Sequence, residues 1–368
     1  MKPTRRKFLT VLGGGVVVAA GAAGGFAATR RPGKALAPWD DAGIYEEPRR
    51  RALSYALLAP NPHNRQPWVV DLPGTEQIVI WRDKAKNLPH TDPYDRQLTI
   101  GMGCFLELLT IAASQTGHGI KMDLFPEGDD GPIANVRMIA GVKPDPLFAH
   151  VTIRRTCREA YAPDQLTDQQ STTLSESAVI VRDETTVGAL RNMTWEAFQI
   201  ELATDSTWRE SVDLTRIGKA EINAAPDGLS IGGPIMEALS LTGLLSREAM
   251  LDRSSVSYQQ ALSMYEGVLY ATPAYAVITT NGNSRLDQID AGRRWMRLAL
   301  SVTGQGLSLH PVSQALQEYP EMAEKYAQAH QMLAAPGETV QMLGRVGHGP
   351  KTPPAPRWPL ESKLRHVG

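Results

Sequence analysis

Two helix–glycine–strand units, separated by 189 positions, limit the folds open to this chain of 368 residues. Met102 to Thr116 reads as a helix, apolar at Leu106, Leu109 and Ala113, which ends at Gly117 and is followed by a strand from Ile120 to Phe125. In the second half Gly292 opens a helix carrying Trp295, Leu298, Ala299 and Val302; it closes at Gly304 and Gly306, and the short strand Leu307–His310 follows. Gly103–Gly117 and Gly292–Gly306 span 14 positions each. Such units occur in any mixed α/β protein, and that plain reading stays open. The separation is far too long for a solenoid and suits two related halves fused in one chain.

Between and around these units the pattern is mixed helix and strand. Arg49 to Leu58 reads as a helix stopped by Pro60 and Pro62, and Asn61 to Pro67 as a turn-rich loop. Trp68–Leu72 and Ile78–Trp81 read as partner strands joined at Pro73-Gly74, with Val136–Val142 a further strand. Residues 1–37 read as a leader, 38–48 as a linker, 49–150 as the first half and 151–365 as the second. A long, less regular stretch from Arg209 to Arg253 holds Pro226-Asp227-Gly228, Gly232-Gly233-Pro234 and a Met/Leu-rich piece. Placed between ordered elements, it reads as a lid or an interface arm.

The leader carries its own signal. Thr4-Arg5-Arg6-Lys7-Phe8-Leu9 precedes an apolar run, Val11 to Ala28, with six glycines and six alanines, and Arg30, Arg31 and Lys34 follow. This resembles a twin-arginine export signal, an address read by the twin-arginine translocase. The run is marginal as an anchor, since a spanning helix needs ~20 predominantly apolar residues. Ala35-Leu36-Ala37 has the form of a peptidase site but precedes Pro38, so a cut near Ala28 and an uncleaved membrane tether both stay open. The resemblance implies a protein exported already folded, with any cofactor loaded beforehand, to a periplasmic or other extracytoplasmic location.

Composition narrows the rest. Apolar residues make up 42% and charged residues 21%, enough for a sizeable buried core. The net charge of −1, with no basic block beyond the leader, argues against nucleic-acid binding. Two cysteines, Cys104 and Cys157, give no disulfide framework, and eight scattered histidines without His-Glu-x-x-His give no expected metal site.

Three constellations carry candidate chemistry. In Ala59-Pro60-Asn61-Pro62-His63-Asn64-Arg65-Gln66-Pro67-Trp68 two prolines pin a loop and leave Asn61, His63 and Asn64 free to face a ligand; Gln66 and Trp68 can fix its exit. Arg154-Arg155-Thr156-Cys157-Arg158 gathers three arginines and a hydroxyl, suited to a phosphate dianion because guanidinium forks bind it bidentately. Leu343-Gly344-Arg345-Val346-Gly347-His348 leads to Pro356-Arg357-Trp358-Pro359-Leu360-Glu361, with Arg357 between prolines. Each alone is compatible with a structural turn, a solvated basic cluster or an ordinary tail.

Together they resemble the nitroreductase-like family of FMN flavoproteins, in which an arginine-rich opening, an Asn-x-Gln-Pro-Trp loop and a closing Arg-x-Pro-Leu-Glu bind the flavin. The resemblance covers roughly residues 46–365. Ordinary members are homodimers in which both subunits hold each flavin, and the arginine opening comes first. Here the loop comes first and the opening follows, and each half keeps what the other lacks. This order resembles the Acg-like branch, and implies an α+β, nitroreductase-like fold in which one chain mimics the dimer with one complete FMN site. The resemblance then implies that Arg154 and Arg357 neutralise the FMN phosphate, that Arg155 and Thr156 hold ribityl or ring-edge groups, and that Arg158 stands near the flavin N1 and O2. Pro60, Asn61, Pro62, His63 and Asn64 would cover the ring from the other half. Pro311-Val312-Ser313 would supply a backbone N–H near flavin N5; Pro311 has none, so Val312 or Ser313 must donate. Thr156 in place of the usual serine, Asn61 and His63 in place of small hydroxyl residues, and the lack of a glycine pair at 311–313 depart from the pattern.

The implied function is an exported FMN-dependent oxidoreductase that reduces a small conjugated acceptor, such as a nitro compound or quinone. FMN carries the redox chemistry, so no catalytic side chain is required. Outside the cytoplasm NAD(P)H is scarce, which points to a membrane quinol or a partner protein as donor. The alternative is an FMN-binding or sequestering protein whose site is closed by the 209–253 stretch. A structural protein without flavin is the third reading, and a colourless purified sample would identify it. The assembly expected is a monomeric pseudo-dimer or a higher oligomer.

Overall fold

The computed structural model describes residues 29–365; the arginine pair and the apolar run of the leader lie outside the described residues. The first half contains α1 (Gly33–Asp40), α2 (Pro48–Ala56), β1 (Trp68–Asp71), β2 (Gln77–Arg82), α3 (Arg96–Ser114), β3 (His118–Leu124) and β4 (Ala134–Ala140). The second begins with α4 (Asp168–Leu174), β5 (Val179–Val181) and α5 (Glu184–Ala203). It continues through α6 (Asp205–Asp213), β6 (Thr215–Ile217), α7 (Gly218–Ala224), β7 (Leu229–Ile231), α8 (Pro234–Leu241), α9 (Arg247–Leu251) and α10 (Val256–Tyr270). It closes with β8 (Ala274–Thr280), α11 (Arg285–Gly304), β9 (Ser308–Pro311), α12 (Ala323–Leu333) and β10 (Thr339–Gly347).

Each half builds a four-stranded antiparallel sheet of the same order. The first is β1-β2-β4-β3 and the second β5-β8-β10-β9, with a long helix between the second and third strands in both. The α+β fold of two matching halves is therefore present in the topology. Their helices α3 and α11 cross at the repeated glycines. A Cβ added at Gly103 would stand 2.3 Å from Ile289 O, and one at Gly292 would stand 2.0 Å from Ile100 O. Ile100 and Ile289 are themselves 189 positions apart, so the crossing is reciprocal. Only glycine allows the two backbones this approach. Glu107 on α3 adds ion pairs to Arg293 and Arg297 on α11, at 2.7 and 2.8 Å. α3 is the one described helix long and apolar enough to cross a membrane, and it is buried as the core between the halves.

Both helices start earlier than their glycines suggest, α3 at Arg96 and α11 at Arg285. Capping chemistry decides this. Ser284 and Asp287 form a reciprocal capping box, and the Asp92 carboxylate accepts the N–H groups of Gln97 and Leu98. The stretch expected as a linker also changes character. Residues 33–40 form α1, whose Leu36 and Trp39 are buried, with Trp39 Nε1 donating to Ala355 O at 2.8 Å. Only 41–47 remain as turn before α2. Buried apolar side chains overrode the Pro/Asp/Gly punctuation.

The 209–253 stretch is ordered into short helices and the parallel pair β6-β7. It is bolted to the first half through Asp227, whose carboxylate meets Lys86 at 2.5 Å, Arg216 at 3.1 Å and Arg65 at 3.5 Å. Burial acts to raise that carboxyl, but the Lys86 hydrogen bond and the three cations outweigh it and hold the pKa below the usual range. The C-terminal tail crosses back to the first sheet: Leu364 bridges Val70, and Arg365 N–H donates to Val70 O at 2.9 Å.

Candidate functional site

The loop after α2 holds an unusual backbone. His63, Asn64 and Gln66 have φ of +48°, +51° and +50° without being glycine. Such positions cost about 1–3 kcal/mol each and persist only where surroundings enforce them. Gln66, fully buried, supplies most of the enforcement. Its N–H donates to Asn61 Oδ1 at 2.7 Å, its Nε2 to Pro226 O at 2.7 Å, and its Oε1 accepts from Trp358 N–H at 2.9 Å. Lys363 Nζ reaches Gln66 O at 2.7 Å. One amide thus ties the loop to the arm and to the C-terminal tail. Trp68 stacks on Phe105 at 4.9 Å, and Asn61 and Pro62 rest on Gly101 of α3, where an added Cβ would stand 3.1 Å from Asn61 Cβ.

The carbonyls of Leu57, Leu58 and Ala59, just past the end of α2, face two arginines from distant parts of the chain. Arg357 donates from Nε to Leu57 O (2.8 Å), from Nη1 to Asn64 Oδ1 (2.7 Å) and Pro356 O (2.8 Å), and from Nη2 to Leu58 O (3.2 Å) and Ala59 O (3.0 Å). Arg154 Nη2 shares Leu58 O at 3.0 Å. Free carbonyls at a helix C-terminus attract cations, which explains why the arginines dock there. Arg155 lies over the Trp39 ring at 4.3 Å, half-buried, with Nη1 on Thr152 O and Arg154 O, both at 2.8 Å. Arg357 sits 5.7 Å from the same ring, so α1 roofs the nest.

This nest is electrostatically incomplete. No ion pair among the described residues involves Arg154, Arg155 or Arg357. Burial, reinforced by repulsion from Arg154 and Arg155, pushes the Arg357 guanidinium down to about 9; burial and Arg155 bring Arg154 down to about 10. Carbonyl dipoles satisfy their N–H groups but not their charge. A dianion would supply the missing term.

A second cluster surrounds the exposed Arg158. Its charge acts on His63, Tyr265 and His310, in each case acting to lower the pKa. Arg345, fully buried in β10, donates from Nη1 to His310 Nδ1 at 3.0 Å and from Nε to Thr272 Oγ1 at 2.7 Å, and lies 4.2 Å from the Tyr161 ring. Arginine only donates, so His310 Nδ1 must accept. Burial, with Arg158 and Arg345 adding to it, holds the His310 pKa far below its ordinary value, so the ring is neutral and its proton sits on Nε2. That proton points to Tyr265 Oη at 3.3 Å, which leaves the Tyr265 hydroxyl hydrogen free for another acceptor.

Beside this cluster His63 Nε2 meets Ser211 Oγ at 3.1 Å; burial first, then Arg158 and Arg65, lower its pKa to about 4. Glu201 is buried near Ser211, Gln314 and Gln317, and burial raises its carboxyl to about 7. Its Oε2 has no hydrogen-bond partner.

The turn after β9 bears on the donor expected there. Val312 N–H donates to Leu343 O at 2.9 Å, so Val312 is removed as a donor and Ser313 N–H is left. Ser313 Oγ reaches Gln97 Oε1 at 3.2 Å, while Gln97 Nε2 is buried without a partner. The arginines 154, 155 and 357 converge with Asn64; His63 meets Ser211, and Arg158 acts on His63 and on His310 of β9. Thr156 pairs with Leu309 through the backbone. Sequence reasoning missed Trp39, Gln97, Glu201, Ser211, Tyr265 and His310, and quoted Arg345 without giving it a role. An arginine inside an otherwise buried strand pattern was the one visible signal. Two surface clefts lie elsewhere: one of ≈350 Å³ lined by Tyr94, Arg96 and Glu318, and one of ≈440 Å³ beside β5.

No protein-family model matches the chain. It is 25% identical over 299 residues to a probable NAD(P)H nitroreductase, PigM, of a Serratia species, covering 74% of this chain and 82% of that one. A putative NAD(P)H nitroreductase of Mycobacterium tuberculosis is 24% identical over 334 residues, covering 85% and 92%. Among solved structures, the FMN-dependent nitroreductase NfnB of Mycobacterium smegmatis in complex with NADPH aligns with a TM-score of 0.36 and 16% identity, over 58% of this chain and 95% of that one. A nitroreductase with bound FMN from Desulfitobacterium hafniense aligns with a TM-score of 0.35 and 12% identity, over 61% and 99%.

Proposed function

We propose that this protein is an FMN-dependent oxidoreductase of the nitroreductase-like kind, in its Acg-like single-chain form, acting on a small conjugated acceptor such as a nitro compound or quinone. The observation that carries the reading is the guanidinium nest, which has three positive charges and, among the described residues, no ion-paired carboxylate. The similarity to curated nitroreductases supports the reaction class. Bound FMN would supply the electron and hydride chemistry.

The protein's own residues then divide the work. Arg154, Arg155 and Arg357 hold the phosphate, and Asn64 fixes the Arg357 fork. Ser313 N–H and the unpartnered Gln97 Nε2 would be polar donors available to the flavin ring, and Arg158 would supply positive charge to it. Trp39 and α1 keep water from the nest. For protons, Glu201 is protonated up to about pH 7 and Tyr265 presents a hydroxyl hydrogen fixed by the Arg345–His310 pair. The leader supports export by the twin-arginine translocase to the periplasm, with a quinol or protein as electron donor.

A second reading is favoured by one feature. Pro226 and Gly228 bond to Gln66 and Asn64, and Ser211 meets His63, so the arm closes on the loop. A closed site would make the protein an FMN-binding or sequestering protein. An absorbance scan of the purified protein tests the cofactor. Anaerobic stopped-flow with a quinol analogue and then a nitroaromatic tests turnover: flavin that is present but never bleached by any donor selects the sequestering reading.

A further inference from the structure

α8 is built inside out for a helix in water. Its one charged residue, Glu237, is buried, accepting from Arg30 Nη1 at 3.0 Å and from Lys219 N–H at 2.7 Å. Its apolar residues face outward: Ile235 is 72% exposed and Leu241 77%, with Leu244 at 57% in the turn beyond. An amphipathic surface helix in a soluble protein has the opposite arrangement, and a cluster of large exposed apolar side chains marks a surface meant to be covered.

The chain itself indicates the cover. Thr29, the first described residue, has its carbonyl on Lys219 Nζ at 2.9 Å, and Arg30 pairs with Glu237 of α8. The described chain therefore begins beside α8, and the run Val11–Ala28 that precedes it in sequence carries no charged residue. Arg30 and Lys219 stand at α8 through Glu237, and the exposed Arg31 and Lys34 follow Arg30 in the chain. Apolar side chains on a helix that also holds basic residues, with an uncharged apolar run preceding it in sequence, match an interfacial membrane contact. We propose that Ile235–Leu244 is a bilayer-contact surface, which seats the arm on an anionic membrane when the leader is retained. It does not depend on the FMN reading.

The test uses the full chain with Leu241→Cys labelled by an environment-sensitive fluorophore. Cys104 and Cys157 are buried and should stay unlabelled. Phosphatidylcholine–phosphatidylglycerol vesicles carrying nitroxide lipids should quench the label at 241, but not one at Val179→Cys on β5. Ile235→Ser with Leu244→Ser should reduce quenching at 241 by about tenfold at limiting lipid, given the transfer free energy of such side chains, and added salt should weaken it. A vesicle-bound protein whose 241 label is unquenched overturns the proposal, because the leader alone then does the anchoring. Protection of the label that rises with protein concentration assigns the face to a second copy, and protection in lipid-free monomer assigns it to residues 11–28; either result also overturns it.

Discussion

Replacing Arg357 with alanine separates two roles that the guanidinium nest combines, structural cap and anion grip. Arg357 is 2% exposed and makes five hydrogen bonds, four to carbonyl oxygens and one to Asn64 Oδ1. Its fall from 12.5 to about 9 corresponds to roughly 5 kcal/mol spent keeping the charge buried, at about 1.4 kcal/mol per unit. Arg357→Ala removes that cost but leaves the carbonyls of Leu57, Leu58 and Ala59 short of donors, a loss of about 1–3 kcal/mol. The two terms oppose each other and their difference, about 2–4 kcal/mol, favours the substitution, so the apoprotein should not lose stability. Binding has no such compensation. Losing one charge-assisted contact to a phosphate should cost about 1.5–3 kcal/mol, or roughly 10- to 150-fold in Kd for FMN. Arg357→Lys keeps the charge without the fork and should fall between. Apoprotein titrated with FMN, followed by flavin fluorescence, gives Kd; urea unfolding of the same samples gives stability. An Arg357→Ala protein that folds and binds FMN within twofold of wild type would refute the anion role, leaving Arg357 as a helix cap.

Three further outcomes follow from particular contacts. Burial raises Glu201 to about 7, so the folded state holds its proton while the unfolded state, with a carboxyl near 4.3, has lost it. Stability from this group is complete below about pH 4 and declines as pH rises towards 7; Glu201→Gln should flatten that slope and raise the pH 8 urea midpoint, and an unchanged pH profile would exclude Glu201 as its source. Asp227→Asn strands Lys86, Arg216 and Arg65, and since the cations retain some solvent contact the cost should lie near 3 kcal/mol, read as a shifted urea midpoint. Asp227 is depressed, so its contribution is present above about pH 4 and lost as pH falls further; a change below 1 kcal/mol at pH 7 would show that the arm is not held there. Gly292→Ala forces a Cβ to 2.0 Å from a backbone oxygen and should cost about 3 kcal/mol or more, whereas Gly188→Ala on α5, with open space around it, should be neutral or slightly stabilising by thermal melt.

The scaffold was legible where a local pattern reports a long-range constraint. The 189-position register of Gly103/Gly292 and Gly117/Gly306 extends in the structure to Ile100/Ile289 and to the helix starts Arg96/Arg285. Glycines that repeat in register betray a crossing because nothing else fits it. The arginines were legible as well, since three guanidinium groups within five residues are unusual in local sequence. Trp39 was not: its value comes from Arg155 and Arg357, which lie more than a hundred positions away, while its neighbours Pro38, Asp40 and Asp41 signal a turn. The Arg345–His310–Tyr265 chain was hidden for the same reason, as its members stand on β10, β9 and α10 with no shared motif.

The difference between the halves is concentrated in one connection. In the first half β1 and β2 are joined by a short turn at Pro73-Gly74; in the second, β5 and β8 are joined by residues 182–273, which include α5 to α10. That single insertion supplies Glu201, Ser211, Asp227, Tyr265 and the outward-facing α8. The two-fold frame would offer two equivalent seams, but only one receives these side chains together with the loop 60–66 and the tail arginine. An insertion in one half leaves the shared core undisturbed, since it replaces a surface turn. Symmetry therefore accounts for the stability of the frame, and its breaking at one strand connection accounts for a single site.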